Sequence, residues 1–200
     1  KDRVEVHATH HPPDGVEPEG IFGVGGRDRH RAYGIGQGDE LVLMDELLGD
    51  FRFVTPADKA NALSLLITPV VRDHIDGSTP LHSIEAPEAG TGKGLLVDLA
   101  SVITAGRYPL LMAPATSEEE WRKRFTAKLV QLPAMLVIDN VHRRLDSAAL
   151  SAALTARVWE DRELGHSRTI RVPVSCLWVV TANNPSYSVE VGRRSVRIRI

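Results

Sequence analysis

The segment 86–96, APEAGTGKGLL, combines glycines and a lysine at a spacing suited to hold a chain of phosphates. A glycine-rich turn that leads into a helix presents backbone N–H groups to an anion, and a lysine beside it reaches the outer phosphates. The pattern G-x-x-x-x-G-K-[ST] is met only in its second half, because Pro87 replaces the first glycine and Gly94 replaces the hydroxyl residue. The predicted phosphate-contacting residues are Glu88, Ala89, Gly90, Thr91, Gly92, Lys93, Gly94 and Leu95.

A carboxylate follows a second apolar run, Ala134-Met135-Leu136-Val137-Ile138-Asp139. An ionised carboxylate at the end of a buried strand must be paired or bind a metal, so Asp139 is a candidate ligand for Mg²⁺. The alternative is that Asp139 is a surface turn residue. Asn140 comes next, and an amide can orient a water molecule by hydrogen bonding but is a poor base.

Two amides follow a third apolar run, Leu177-Trp178-Val179-Val180-Thr181, in the sequence Ala182-Asn183-Asn184-Pro185. At the carboxyl end of a central strand they would lie beside the phosphates and contact the terminal phosphate or the water. As an alternative, Asn183 and Asn184 are turn residues that precede Pro185.

A pair of arginines, Arg193 and Arg194, precedes the alternating segment 195–200, SVRIRI, which predicts a strand with one basic face. An arginine that reaches a neighbouring subunit's phosphate is an arginine finger. The alternative is a solvated strand edge protected by charge.

The composition describes an ordinary soluble domain, with 42% hydrophobic and 25% charged residues in 200. No window has the roughly 18 apolar residues of a membrane span, and the first residues lack a signal peptide's apolar core. We therefore expect a soluble, cytoplasmic protein without membrane contact. The net charge of −2 means that any nucleic-acid binding must use local basic clusters. The single cysteine, Cys176, lies in an apolar run and is expected to be a buried thiol.

Apolar runs alternate with helical patterns after residue 52, which predicts an α/β domain with a mostly parallel sheet covered by helices. Residues 1–52 are expected to form an irregular arm or linker, and 53–200 the folded core. A first helix should begin at Pro56 with Thr55 as its cap. The predicted strands are 81–85, 109–113, 134–139 and 176–181, and the later helices are 93–105, 118–132 and 147–159. Ser117 with Glu120 predicts a capping box for the helix at 118.

Taken in this order, AGTGK, LVIDN, VVTANNP and RRSVRIRI resemble the motifs of AAA+ ATPases, and specifically the primase-helicase-like replication proteins of phages and mobile elements. The resemblance covers about 80–200 and implies a P-loop NTPase three-layer sandwich of AAA+ type, with helices on both faces. It implies ATP and Mg²⁺ as ligands, and a homo-oligomeric ring, with a hexamer as one option. The implied roles are a Walker A lysine for Lys93, a Walker B aspartate for Asp139, a first sensor for Asn183 and a finger for Arg193 or Arg194. The chain ends before the lid and the second sensor of this family.

Residues 161–172 predict a hairpin centred on Gly165, and the AAA+ helicases that the chain resembles carry a pore hairpin just before the first sensor. His166 and Arg168 near its tip would suit the phosphates of single-stranded DNA. A plain surface hairpin is the alternative.

Three functions share these motifs. The leading prediction is an ATP-driven, ring-forming DNA helicase or translocase in the replication of a mobile element or phage. The second is a nucleotide-dependent assembly module with little turnover, which the missing hydroxyl at Gly94 and the amide at Asn140 keep open. The third is an ATPase that remodels proteins.

Overall fold

The computed structural model describes residues 39–163 and 168–200. The chain divides into two compact units, Lys1–Leu43 and Met44–Ile200. Helix α1, Asp39–Leu47, lies in the interval 1–52 for which an irregular arm was expected, so that expectation is corrected for these residues. The second unit also begins earlier than residue 53, because Leu48 is fully buried and Phe51 packs against its core.

The strands alternate with helices along the second unit. The strands are β1 Leu81–Ala86, β2 Leu110–Met112, β3 Met135–Val141, β4 Val158–Arg162, β5 Thr169–Pro173, β6 Leu177–Asn183 and β7 Ser195–Arg199. The helices that follow α1 are α2 Pro56–Val71, α3 Lys93–Ala105, α4 Glu118–Leu129, α5 Ala148–Ala153 and α6 Val189–Gly192, with a 3₁₀ turn at Arg72–His74.

In the described residues, a five-stranded sheet has the order β2-β3-β6-β1-β7, and every neighbouring pair is parallel. All six residues of β1 are buried, as expected of a parallel strand covered on both faces. One face packs against α4 and α5 around the rings of Trp121, Phe125 and Trp178. The other face packs against α2 and α3, for example through Leu65 and Leu96. The predicted α/β fold with helices on both faces is therefore confirmed.

The local start signals of the helices are confirmed. The Thr55 hydroxyl caps α2 by accepting from the N–H of Asp58, and Ser117 caps α4 through the N–H of Glu120. Helix α3 has the predicted bounds. Cys176 is buried, as expected, and burial raises the pKa of its thiol to about 12.

The predicted helix at 147–159 is wrong beyond Ala153, because Val158–Arg162 forms β4. Trp159 pairs with Val172 in the β4–β5 hairpin, and its indole N–H donates to the Thr126 hydroxyl at 2.9 Å. That hydroxyl donates to Asp161 at 2.9 Å. Tertiary contacts of the hairpin with α4 therefore outweighed the local helical pattern. The hairpin itself is confirmed, but its turn, with His166, lies outside the described residues.

The basic face of β7 is neutralised by two buried carboxylates. Arg197 contacts both carboxylate oxygens of Glu85, through Nε at 3.0 and 2.9 Å. Arg199 donates to Asp58 through its backbone N–H, Nε and Nη2, each at 3.0 Å. The N–H of Val54 donates to the Arg199 carbonyl, which occupies part of this strand edge. Both arginines therefore form ion pairs with buried carboxylates, while their side chains stay 56% and 40% exposed to solvent.

Among the described residues, no helix combines the length and apolar character needed to cross a membrane.

His82 supplies a test of the packing, because its imidazole is buried in β1 with 1% exposure and Nε2 lies 2.9 Å from the Ser64 hydroxyl oxygen. Burial lowers the pKa of His82 from 6.5 to about 4. Below pH 6.5 the unfolded chain binds a proton at His82 that the folded protein does not bind. The stability that neutral His82 gives the fold is therefore fully present above pH 6.5 and is lost as the pH falls towards 4.

We expect the free energy of unfolding to fall between pH 7 and pH 5 by on the order of 2 kcal/mol more in the wild type than in His82→Leu. Urea unfolding at both pH values measures this difference. His74→Leu is the control, because His74 is exposed. Equal pH dependence in the wild type and His82→Leu would contradict the prediction.

Candidate nucleotide-binding site

The carboxyl ends of β1, β6 and β3 lie side by side and carry the candidate residues to one edge of the sheet. Ala86 pairs with Asn183, and Ile138 pairs with Val180, so the three strands end at similar heights. A cavity of about 230 Å³ opens there. It is lined by Ala89, Gly90, Gly92, Lys93, Gly94, Asp139, Asn140, Thr181 and Asn183. The structure thus brings together segments that the sequence separates by up to 94 positions, from Ala89 to Asn183.

The loop after β1 depends on two glycines with positive φ, Gly90 at 79° and Gly92 at 95°. Side chains disfavour this left-handed region, so glycine is suited to both positions. Gly92 precedes the first residue of α3, and no side chain caps the N–H groups of that helix. These free donors and the positive end of the helix dipole face the edge where an anion would bind.

Lys93 is folded onto its own loop. Its Nζ donates to the Glu88 carbonyl at 2.9 Å and lies 3.4 Å from the Thr91 hydroxyl. Burial lowers the pKa of Lys93 from its ordinary value, while the negative charge of Asp139 opposes this change. A charged ammonium with only neutral hydrogen-bond partners is suited to exchange a carbonyl for a phosphate oxygen.

Asp139 is held by the neighbouring strand. The Thr181 hydroxyl donates to Asp139 Oδ1 at 2.5 Å and accepts from the N–H of Asn140 at 2.8 Å. The pairing of β3 with β6 changes register between Ile138 and Val141, and Asn140 has a left-handed φ of 62°. Thr181 is not among the site residues predicted from the sequence, although a hydroxyl residue at the end of an otherwise apolar strand was a usable signal.

The residues present fit a magnesium ion shared with a phosphate ligand. Within the described ranges, no group of three or more His, Cys, Asp or Glu residues could hold a metal alone. Asp139 contributes a carboxylate to the cavity. Mg²⁺ is commonly bound by one or two carboxylates together with substrate phosphates and water.

The two amides after β6 have different environments. Asn183 lines the cavity, and its Oδ1 is buried without a hydrogen-bond partner in the described part of the chain. Asn184 has a left-handed φ of 45°, and its amide donates to the Pro87 carbonyl at 3.3 Å. Its backbone N–H donates to the Ala86 carbonyl at 3.2 Å. Asn184 thus connects the turn after β6 to the start of the glycine-rich loop, whereas the Asn183 oxygen is unpaired among the described residues.

Several candidate residues do not reach this cavity. Arg193 and Arg194 precede β7, and Ser195 pairs with Leu81 at the amino end of β1. The length of β1, roughly 3.3 Å per residue, therefore separates the two arginines from the loop. Arg194 donates to the carbonyl and the carboxylate of Glu190, at 2.6 and 2.8 Å. Arg193 is exposed, and its side chain has no hydrogen bond or ion pair with any described residue.

Three further candidates have side chains at the surface. Glu88 is exposed in the loop after β1, and Leu95 is exposed in the first turn of α3. Arg168 is exposed and forms an ion pair with Glu163 across the hairpin.

The fold and the cavity define an α/β protein with a parallel sheet and a glycine-rich loop at a helix start, consistent with a P-loop-like fold. A scan against family models found no match, and a search of curated proteins also found none. Among solved structures, similarity was found to JCV helicase, in a crystal structure bound to a thiazolopyridine phenoxyphenyl acetamide. The TM-score is 0.42 and the sequence identity 14%, over 87% of this chain and 55% of that chain. The chain thus spans about half the length of this neighbour.

Proposed function

We propose that the chain binds ATP or ADP with its phosphates in the cavity after β1. The observation that carries the proposal is the convergence of Lys93, Asp139 and the unpaired Asn183 Oδ1 on uncapped helix N–H groups. A plain surface turn would not require a partly buried lysine, a carboxylate and an orphaned acceptor in one cavity.

Lys93 and the N–H groups that begin α3 would bind the β- and γ-phosphates, with Lys93 exchanging the Glu88 carbonyl for a phosphate oxygen. Asp139 would hold Mg²⁺ directly or through water, and Thr91 is the hydroxyl residue of the loop that lies near Lys93. When bound, Mg²⁺ would neutralise charge on the phosphates and orient them. Gly94 supplies no hydroxyl at the usual position, so the ion would have one protein ligand fewer.

Hydrolysis by this site would depend on orientation of the attacking water rather than on a strong base. Asn140 follows Asp139 and lines the cavity, and its amide can hydrogen-bond a water molecule. Asn183 lines the same cavity, and its buried amide oxygen has no hydrogen-bond partner among the described residues. Phosphoryl transfer needs mainly positioning and charge stabilisation, so this arrangement supports ATPase activity.

At the level of the whole protein, the proposal is an AAA+ motor that forms a homo-oligomeric ring and acts as a DNA helicase or translocase in replication of a phage or mobile element. The motif order supports this assignment, and so does the position of Arg193, which is too remote from its own cavity to act there. The antiparallel β4–β5 hairpin, which precedes β6, would bind single-stranded DNA, with Arg168 and His166 as the proposed contacts. Stimulation of ATP turnover by single-stranded DNA would distinguish a DNA motor from a protein-remodelling ATPase and from an assembly module.

The first test is nucleotide binding by Lys93→Ala. Loss of a charge-assisted contact to phosphate costs about 1.5–3 kcal/mol, so the Kd for ATP should rise roughly 10- to 100-fold. Calorimetry measures the Kd, and Lys123→Ala on the surface of α4 is the matched control, because Lys123 pairs with Glu119 away from the cavity. Absence of binding by the folded wild-type protein would overturn the proposed function.

Gly94→Thr should raise magnesium-dependent ATP turnover, because it restores the hydroxyl at the usual metal-ligand position. A Cβ at Gly94 would meet no heavy atom within 4 Å, so the larger residue has room. Gly94→Ala is the control for the change in helix propensity. An equal rise in both variants would attribute the gain to helix propensity and contradict the prediction. Unchanged turnover in Gly94→Thr would mean that another group already supplies the ligand.

The proposed finger requires mixed subunits. Arg193→Ala and Lys93→Ala should each abolish turnover, whereas their mixture should recover activity at interfaces that join an intact Lys93 to an intact Arg193. A finger contributes roughly a thousandfold or more to turnover, so the effect is measurable. Arg194→Ala should retain more activity than Arg193→Ala, because Arg194 is already paired with Glu190. A co-assembled but inactive mixture would exclude action between subunits.

A further inference from the structure

Thr181 is buried at the carboxyl end of β6, with 3% exposure. Its hydroxyl donates its only proton to Asp139 and accepts from the N–H of Asn140. A single side chain on the middle strand thus contacts the two β3 residues that line the cavity.

The contact with Asn140 compensates for a local break in strand pairing. Between Ile138 and Val141 the register with β6 shifts, and Asn140 adopts a left-handed φ. A backbone N–H that loses its partner in a sheet needs another acceptor, and the Thr181 oxygen supplies it at 2.8 Å. The hydroxyl therefore stabilises the backbone conformation that turns Asn140 to the cavity.

The contact with Asp139 orients the carboxylate. Oδ1 receives the hydroxyl proton, and no described protein group donates a hydrogen bond to Oδ2. Because the hydroxyl donates to one oxygen, the other is left available to a cation. Groups that orient a ligand in this way typically change metal affinity 10- to 100-fold when they are removed.

We propose that Thr181 is a positioning residue of the divalent-metal site, which acts by holding both Asp139 and Asn140 in their cavity-facing geometry. The inference rests on the proposed nucleotide function, but it also makes a claim about the protein without ligand. Thr181→Val keeps the shape of the side chain and removes both hydrogen bonds, whereas Thr181→Ser keeps them.

Thr126 offers a matched control for general damage. It is also buried, and its hydroxyl likewise donates to a carboxylate, that of Asp161, and accepts an N–H, from Trp159. These partners belong to the hairpin and not to the cavity. Thr126→Val should therefore lower stability without changing metal dependence.

The experiment combines two measurements. Amide hydrogen exchange of the ligand-free protein should show Asn140 protected in the wild type and in Thr181→Ser, and exchanging at least about tenfold faster in Thr181→Val. Calorimetry should show that Mg²⁺ increases the affinity of the wild type for ATP. In Thr181→Val this increase in affinity should be roughly 10- to 100-fold smaller. Metal-free ATP binding should change less than about twofold, because the Lys93 loop is untouched.

The outcomes distinguish failure of the positioning role of Thr181 from failure of the proposed ATP binding. Unchanged exchange and an unchanged gain from Mg²⁺ in Thr181→Val would overturn the positioning role and leave ATP binding intact. A wild type that binds no ATP would overturn the proposed function. Protection of the Asn140 amide would then show only that its hydrogen bond to Thr181 stabilises the fold. If Thr181→Val does not fold, Thr181→Ala takes its place, and Thr181→Ser must still match the wild type. Loss of the Mg²⁺ gain in Thr126→Val as well would attribute the effect to instability and reject the proposal.

Discussion

Parallel pairing of β1, β6 and β3 is the constraint on which the candidate site depends. Hydrogen bonding of β6 to both neighbours sets the heights at which the three strands end. The loop after β1, the carboxylate of Asp139 and the amide of Asn183 reach one cavity because parallel strands share a carboxyl edge. Slippage of β6 by one residue would invert its side chains, moving Thr181 away from Asp139.

Ion pairs between buried carboxylates and partly exposed arginines connect the outer elements to this frame. Glu85, which is 3% exposed, comes two residues before Pro87 and is bound by Arg197 on β7. Burial by itself would raise the pKa of Asp58, but hydrogen bonds from Arg199 and Thr55 lower it, to about 2. Removing either arginine would leave a buried carboxylate without its charged partner, which destabilises the fold. The start of α2 and the strand β7 are thereby tied to the strand that precedes the glycine-rich loop.

The cavity contains two side chains of opposite charge, Lys93 and Asp139. Lys93 and Asp139 interact electrostatically, and burial works against the charge on Lys93. Without a phosphate, Lys93 takes a carbonyl of its own loop as partner, and Asp139 takes the Thr181 hydroxyl. Each group keeps capacity for a ligand, since the ammonium has three donors and the carboxylate has a second oxygen. Under the proposed function, binding of phosphate and of metal would depend on the same small set of contacts.

The sequence by itself determined the features that depend on near neighbours in the chain. Patterns a few residues long determine the apolar runs of β3 and β6, the cap at Thr55 and the start of α3 after Gly92. These patterns were sufficient to predict the α/β alternation, the position of Lys93 at a helix start and the position of Asp139 near the carboxyl end of a strand. Only the tertiary structure decided that Trp159 lies in a strand, because its partners are on α4 and β5. It also decided that Thr181 contacts Asp139 across 42 positions of the chain and that Glu85 binds Arg197 across 112. Within residues 39–163 and 168–200, it pairs Arg194 with Glu190 and gives Arg193 no ion pair. The physical reason is that a side chain's partner at such separation depends on strand order and register, which no local pattern contains.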